Sequence, residues 1–154
     1  TLVISPSRRR FLRRLRRRDE GRPPAGLFLI CPLLDLAADR SQGPDTDPVA
    51  SLRYIRGGAE AYLNGADPAD VRCSPINGDL TALPPILVHT AEEDPLRPDG
   101  QALARKAVNA GVDAHLENFP LWHDFHLHAG VLRTADEAIE RGAAFVRERL
   151  AATG

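Results

Sequence analysis

Two short segments hold most of the side chains able to do acid–base chemistry: Thr90-Ala91-Glu92-Glu93-Asp94-Pro95-Leu96, and Pro120-Leu121-Trp122-His123-Asp124-Phe125-His126-Leu127-His128. A carboxylate hydrogen-bonded to an imidazole fixes the ring's tautomer. It also stabilises the imidazolium formed when the ring takes a proton from a nucleophile. Asp94 and His123 are 29 positions apart, room for one helix and one strand between them. Glu92 and Glu93 are neighbouring acids that compete with Asp94 for the role. His123, His126 and His128 also form an H-x2-H-x-H pattern, which could suggest zinc. Only Asp124 stands close enough in sequence to complete such a site, so the pattern reads as packing at a helix entry. No metal is expected.

The elements that would position these residues follow from pattern. Gly26-Leu27-Phe28-Leu29-Ile30-Cys31, bounded by Pro32, and Pro85-Ile86-Leu87-Val88-His89-Thr90 are short apolar runs typical of strands buried on both faces. Val112 to Phe119 alternates enough to form a third strand. Helical spacing predicts a helix from Ala50 to Leu63, closed by Asn64-Gly65. A second runs over Gly100 to Ala110, capped by Asp99, with Leu103, Ala104, Ala107 and Val108 inward and Gly111 at its end. The third opens on a capping box at Thr134-Ala135-Asp136-Glu137 and lines Ile139, Ala143, Val146 and Leu150 along one face. Residues 33 to 50 and 67 to 83 read as loops. Strands separated by a dozen or more residues, with helices between, imply right-handed βαβ units and a parallel sheet. Open parallel sheets do their chemistry beyond the carboxyl ends of the strands. Asp94 and His123 both fall there.

Composition narrows the class. The 154 residues are 43% hydrophobic and 27% charged, within the range of one globular domain rather than a disordered chain or a disulfide-dense miniprotein. No apolar run approaches the ~18 residues of a membrane span, and no apolar stretch follows the charged N-terminus as in a secretory signal. Cys31 and Cys73 are the only thiols and read as buried and reduced, which suits a cytoplasmic protein. The net charge of −1 hides an asymmetry, because eight arginines crowd residues 8 to 18. Without them the rest has 12 basic against 21 acidic residues, a balance of −9. Such a run could neutralise phosphates, but Phe11 is its only aromatic and no nucleic-acid-binding motif follows. Nucleic acid is not the expected partner.

From Pro24 to Leu150 the sequence resembles the C-terminal half of a hormone-sensitive-lipase-like esterase, the group also called α/β-hydrolase fold-3. The matching stretches are Ile30-Cys31-Pro32-Leu33-Leu34-Asp35-Leu36, Ser74-Pro75-Ile76 with Leu83-Pro84-Pro85-Ile86-Leu87-Val88, Glu93-Asp94-Pro95-Leu96-Arg97-Pro98-Asp99-Gly100, Ala110-Gly111-Val112 and Trp122-His123-Asp124-Phe125. The resemblance implies an α/β fold with a mainly parallel sheet flanked by helices, its N-terminal strands missing. It implies that Asp94, at the family's Asp-Pro-Leu position, is the triad acid and His123 the triad base. It further implies hydrolysis of small acyl esters without metal or organic cofactor, and a homodimer through the last strand and helix, Ile139 to Leu150. Leu52, Tyr54 and Tyr62 are candidates for a pocket wall by position.

A serine esterase also needs G-x-S-x-G, the strained turn that presents the nucleophile, and an upstream oxyanion loop. Neither pattern occurs. The serines are Ser5, Ser7, Ser41, Ser51 and Ser74, none flanked by glycines in that way. Counting back from the Leu27 strand, the turn should fall near Ser5 and Ser7, but Arg8-Arg9-Arg10 follow where the family has small residues. Arginine there crowds a turn that glycine permits. Residues 1–23 are therefore set apart as an atypical segment from 24–154, the α/β-hydrolase portion. Alanine and glycine codons such as GCC and GGC read as CGC and CGG, both arginine, in a shifted frame. Asp19-Glu20-Gly21-Arg22-Pro23 then resumes the family pattern, as a restored frame would. The expectation is an esterase portion that is inactive alone. The competing class is a non-catalytic α/β remnant or interaction module.

Overall fold

The computed structural model describes residues 2–5, 24–37 and 46–152; the arginine run, Ser7 and Ser41 lie outside them. Among the described residues four strands form one sheet in the order β1-β2-β3-β4: β1 Leu2–Ser5, β2 Gly26–Ile30, β3 Ile86–Ala91 and β4 Ala114–Phe119. Every neighbouring pair is parallel, with Leu27 beside Ile86 and Ile86 beside Ala114. The two strands expected from apolar runs and the third expected from alternation are present and adjacent. Leu2–Ser5 was not anticipated as a strand. Its apolar run is only Leu2-Val3-Ile4, shorter than the roughly four residues from which a buried strand can be read.

Among the described residues, three α-helices connect or flank the strands: α1 Leu52–Leu63, α2 Arg97–Asn109 and α3 Arg133–Ala151. Strand alternation divides the core between two faces. Leu27, Leu29, Ile86 and Val88 pack with Leu103, Ala107 and Val112 beneath α2. Ala91 and Phe119 pack with Phe125, Ala135 and Ala138 beneath α3. The sheet is thus covered on both sides, which explains its continuous apolar strands. β3, central between β2 and β4, is buried along its whole length.

The helix boundaries correct three expectations. Asp99 is not the cap of α2 but lies inside its first turn, and its Oδ2 accepts hydrogen bonds from the backbone N–H of Leu34 (2.7 Å) and Asp35 (2.9 Å). That carboxylate ties the loop after β2 to the helix instead. Thr134 does not cap α3 either; the helix starts after Leu132 without a side-chain cap, and Asp136 accepts from Gly130 N–H at 2.6 Å. The inward faces are also turned. Leu103, Ala104 and Ala107 are buried as expected, but Val108 points out, as do Ile139 and Leu150. The buried stripe of α3 is Ala135, Ala138 and Gly142. Small residues let the helix lie close to the sheet, and a Cβ on Gly142 would sit 2.3 Å from the Phe28 ring. Sequence hydrophobicity selects large side chains, whereas contact distance here selects small ones. Where the chain turns as expected, Asn64 closes α1 in the left-handed region at φ 43°.

Candidate active site

Asp94 and His123 meet beyond the carboxyl ends of β3 and β4. Asp94 is fully buried, and its Oδ1 accepts a 2.8 Å hydrogen bond from Leu96 N–H while standing 3.1 Å from His123 Nδ1. Backbone bonds from Glu92 N–H to Phe119 O (2.9 Å) and from Glu93 N–H to Leu121 O (3.1 Å) carry the sheet's register into the loops and set this approach. Glu92 and Glu93 are exposed and turn away, so burial separates Asp94 from the two acids beside it. His123 keeps a side-chain exposure of 17%, enough for one ring edge to face outward. Its Nε2 lies 3.4 Å from Asp124 Oδ2.

The histidine loop is held from a third direction. Asp47 accepts from His123 N–H at 2.5 Å through one oxygen, and from Val49 and Ala50 N–H at 2.8 Å each through the other. Sequence reading did not single out Asp47, because an Asp-Pro pair inside a long loop carries no sign of the partner 76 residues away. Burial disfavours the charged ring of His123, but the adjoining Asp94 and then the Asp124 and Asp47 carboxylates outweigh it, and the pKa is raised. Asp124 is itself raised, first by burial and then by Asp94 and Asp47, against the lowering pull of His123.

The remaining candidates disperse. His126 Nε2 lies 3.0 Å from His89 Nδ1 in the core, and His128 meets the edge of Trp122, so the three histidines of the H-x2-H-x-H pattern face three different partners. Trp122 packs against the Phe119–Phe125 cluster. Tyr54 and Tyr62 are exposed while Leu52 is buried, so these three do not form one wall. Among the serines, Ser51 caps α1 through Tyr54 N–H (3.2 Å). Ser74 is buried, donating to Pro68 O at 2.6 Å and accepting from Leu36 N–H at 2.7 Å. Both hydroxyls are engaged in holding backbone. Ser5 ends β1, on the same edge of the sheet as the Asp94 and His123 loops.

A chain with this parallel sheet has counterparts among known proteins. The alpha/beta hydrolase fold family model matches residues 11–127, and the chain belongs to that family. An acetyl-hydrolase of Streptomyces hygroscopicus is 37% identical over 135 residues, covering 84% of this chain and 45% of the relative. A carboxylesterase of Mycobacterium tuberculosis is 33% identical over 142 residues, covering 86% and 44%. The crystal structure of an esterase from the bacterial hormone-sensitive lipase family superposes with a TM-score of 0.82 at 31% identity, over 88% of this chain and 48% of that one. A hormone-sensitive lipase from a metagenome library gives 0.87 at 28% identity, over 96% and 54%. The chain therefore spans less than half the length of these sequence relatives. Among the described residues, no helix is long and apolar enough to cross a membrane.

Proposed function

We propose that this chain is the acid- and base-bearing portion of a serine carboxylic ester hydrolase acting on small acyl esters, with Asp94 as the triad acid and His123 as the base. The observation that carries the reading is the buried Asp94 carboxylate 3.1 Å from His123 Nδ1, at the ends of adjacent parallel strands in a chain of this family. Asp94 holds Nδ1 protonated, which leaves Nε2 unprotonated and able to accept a proton from a serine hydroxyl. The resulting imidazolium is stabilised by the carboxylates that raise the His123 pKa. His123 then returns the proton to the leaving alcohol.

Nothing in residues 1–154 has the G-x-S-x-G pattern, and the Ser51 and Ser74 hydroxyls are committed to backbone. We therefore expect the 154 residues to be silent by themselves, and we assign residues 1–23 to an atypical segment distinct from the hydrolase portion 24–154. Translating the neighbouring reading frame through residues 5 to 18 tests that assignment: a small-residue turn around serine supports it, and its absence refutes it. Two buried cysteines that form no disulfide favour a reducing, cytoplasmic setting. A homodimer through β4 and α3 is favoured by the exposed Leu116, Ile139 and Leu150 on those elements.

The test supplies an N-terminal half bearing Gly-x-Ser-x-Gly, fused in frame, and assays a chromogenic short-chain ester. The fusion should turn over, and His123→Ala and Asp94→Asn should each lower kcat by about 10⁴-fold. An active fusion that tolerates His123→Ala but not His126→Ala overturns the base assignment. Ester turnover by the 154 residues alone, abolished by Ser7→Ala, overturns the expected silence.

A further inference from the structure

The loops that carry Asp94 and His123 also enclose a thiol. Cys31 follows β2 directly and is fully buried, and its sulfur, one ring nitrogen of His123 and one carboxylate oxygen of Asp124 lie within 4.8 Å of one another. Two segments of the fold supply them: the turn after β2 gives Cys31, and the loop after β4 gives His123 and Asp124. Cys31 and Asp124 both have positive φ, 42° and 53°, a conformation that L-residues other than glycine rarely adopt. Neither residue is of the β-branched kind for which this would be prohibitive, yet each is held there by its surroundings, and such strain gathers at functional sites. Asp124 Oδ1 and Asp94 Oδ2 are buried without a hydrogen-bond partner among the described residues. A buried carboxylate oxygen without a donor is costly unless a cation approaches it.

We propose that Cys31, His123 and Asp124 form a binding site for a thiophilic divalent cation of the zinc type, which occupies the proton-accepting edge of His123 and thereby blocks it. The donor set is one sulfur, one imidazole nitrogen and one carboxylate oxygen, which suits zinc in tetrahedral coordination with a fourth position left to solvent. Ligand atoms on a tetrahedral zinc lie about 3.5 Å apart, given bond lengths of about 2.0–2.3 Å. His123 Nε2 and Asp124 Oδ2 already stand 3.4 Å apart. The sulfur lies within 4.8 Å of the other two ligand atoms, so closing it onto the ion needs a movement of about 1.3 Å at most against that spacing. Asp94 has a second part in this site. Its carboxylate, 3.1 Å from Nδ1, favours the Nδ1–H tautomer that leaves Nε2 free for the metal, as in the carboxylate–histidine–metal relay common to zinc sites. On binding, the Cys31 S–H bond breaks, the sulfur keeps the electron pair and bonds to the cation, and the proton leaves to buffer. Binding therefore strengthens as pH rises. The H-x2-H-x-H pattern gave no hint of this, because the third ligand comes from the turn after β2, 92 positions before His123.

The site concerns the residues of the esterase reading but is tested without activity, so the two can fail separately. Metal-free chain 1–154 is titrated with Co²⁺, with Zn²⁺ as competitor, and read by absorption. Binding of one Co²⁺ per chain, with a thiolate-to-cobalt charge-transfer band and release of about one proton, supports the site. Cys31→Ser should abolish the band, whereas Cys73→Ser should leave it. Asp124→Asn should weaken binding at least tenfold, and Asp94→Asn, acting through His123, by about 10–100-fold. If Cys31→Ser does not fold, His123→Gln and Asp124→Asn report on the same three ligands. No saturable uptake by the folded chain, or a band that survives Cys31→Ser or both His123→Gln and Asp124→Asn, overturns the proposal.

Discussion

Acidification to about pH 5 should destabilise the folded chain by about 4 kcal/mol through two histidines that take no part in the candidate site. His89, in the middle of β3, is fully buried, and its Nδ1 lies 3.0 Å from Nε2 of His126, also buried. Phe28 and Phe119 pack on the His89 ring at centroid distances of 4.7 Å and 5.0 Å, and Phe125 lies tilted against His126 at 4.0 Å. The charged groups facing the pair are Glu117, 3.7 Å from His89 Nε2, and Arg141. Burial pushes His89 down to about 3, aided by His126 and Arg141, and burial pushes His126 down to about 4. In the unfolded chain both return to about 6.5. Each therefore stabilises the fold fully above about 6.5, and that contribution fades as pH falls toward the folded values. At pH 5 an unfolded histidine is protonated to an extent worth about 2 kcal/mol, and the folded pair is still neutral, so the sum is about 4. His123 works with the opposite sign. Its raised pKa adds stability as pH falls from above the folded value to about 6.5, and that gain is complete below this window. Urea unfolding between about pH 7 and pH 5 measures the difference. The double variant His89→Leu/His126→Leu replaces both partners with apolar side chains and should flatten the profile. A loss under about 1 kcal/mol in the original chain, or an equal loss in the double variant, refutes the neutral buried pair.

Two further outcomes test the packing and the electrostatics. Gly142→Ala should destabilise by about 1–2 kcal/mol in urea unfolding, because overpacking against Phe28 outweighs the better helix propensity of alanine, and the His89 ring blocks retreat of the phenyl. Gly57→Ala, with nothing within 4 Å of the added Cβ on the open side of α1, should instead stabilise by about 0.5–1 kcal/mol; equal signs for the two would discredit the contact. In an NMR titration the His123 pKa should lie above about 6.5 and should fall in Asp94→Asn. It should fall less in Asp124→Asn and least in Asp47→Asn, following the order of their influence. A value unmoved by Asp94→Asn would mean that the carboxylate does not hold the ring.

Much of this protein was written locally enough to read from the chain. The apolar runs around Leu27 and Ile86 are continuous because both sheet faces are covered, and that continuity is visible without any partner in view. Asn64 and Gly111 mark helix ends because their left-handed backbone is a property of single residues. The order of Asp94 and His123 along the chain, each just past a strand, placed them on one edge because parallel strands bring their carboxyl ends together. Other features depended on contacts that sequence distance conceals. Asp94 was separated from Glu92 and Glu93 by burial, which depends on how the loop lies over the sheet. Asp99 and Thr134 stood where caps belong, yet Asp99 found stronger use accepting two N–H groups 64 and 65 positions away, and α3 starts without Thr134. The inward stripe of α3 went to Ala135, Ala138 and Gly142 because the Phe28 ring occupies the space a larger side chain would need. The His89–His126 pair, the Asp47 bond to His123 and the Cys31 thiol beside Asp124 join segments 37, 76 and 93 positions apart. Periodicity and capping rules act over a few residues, whereas these groups were brought together only when the sheet closed under its two helices.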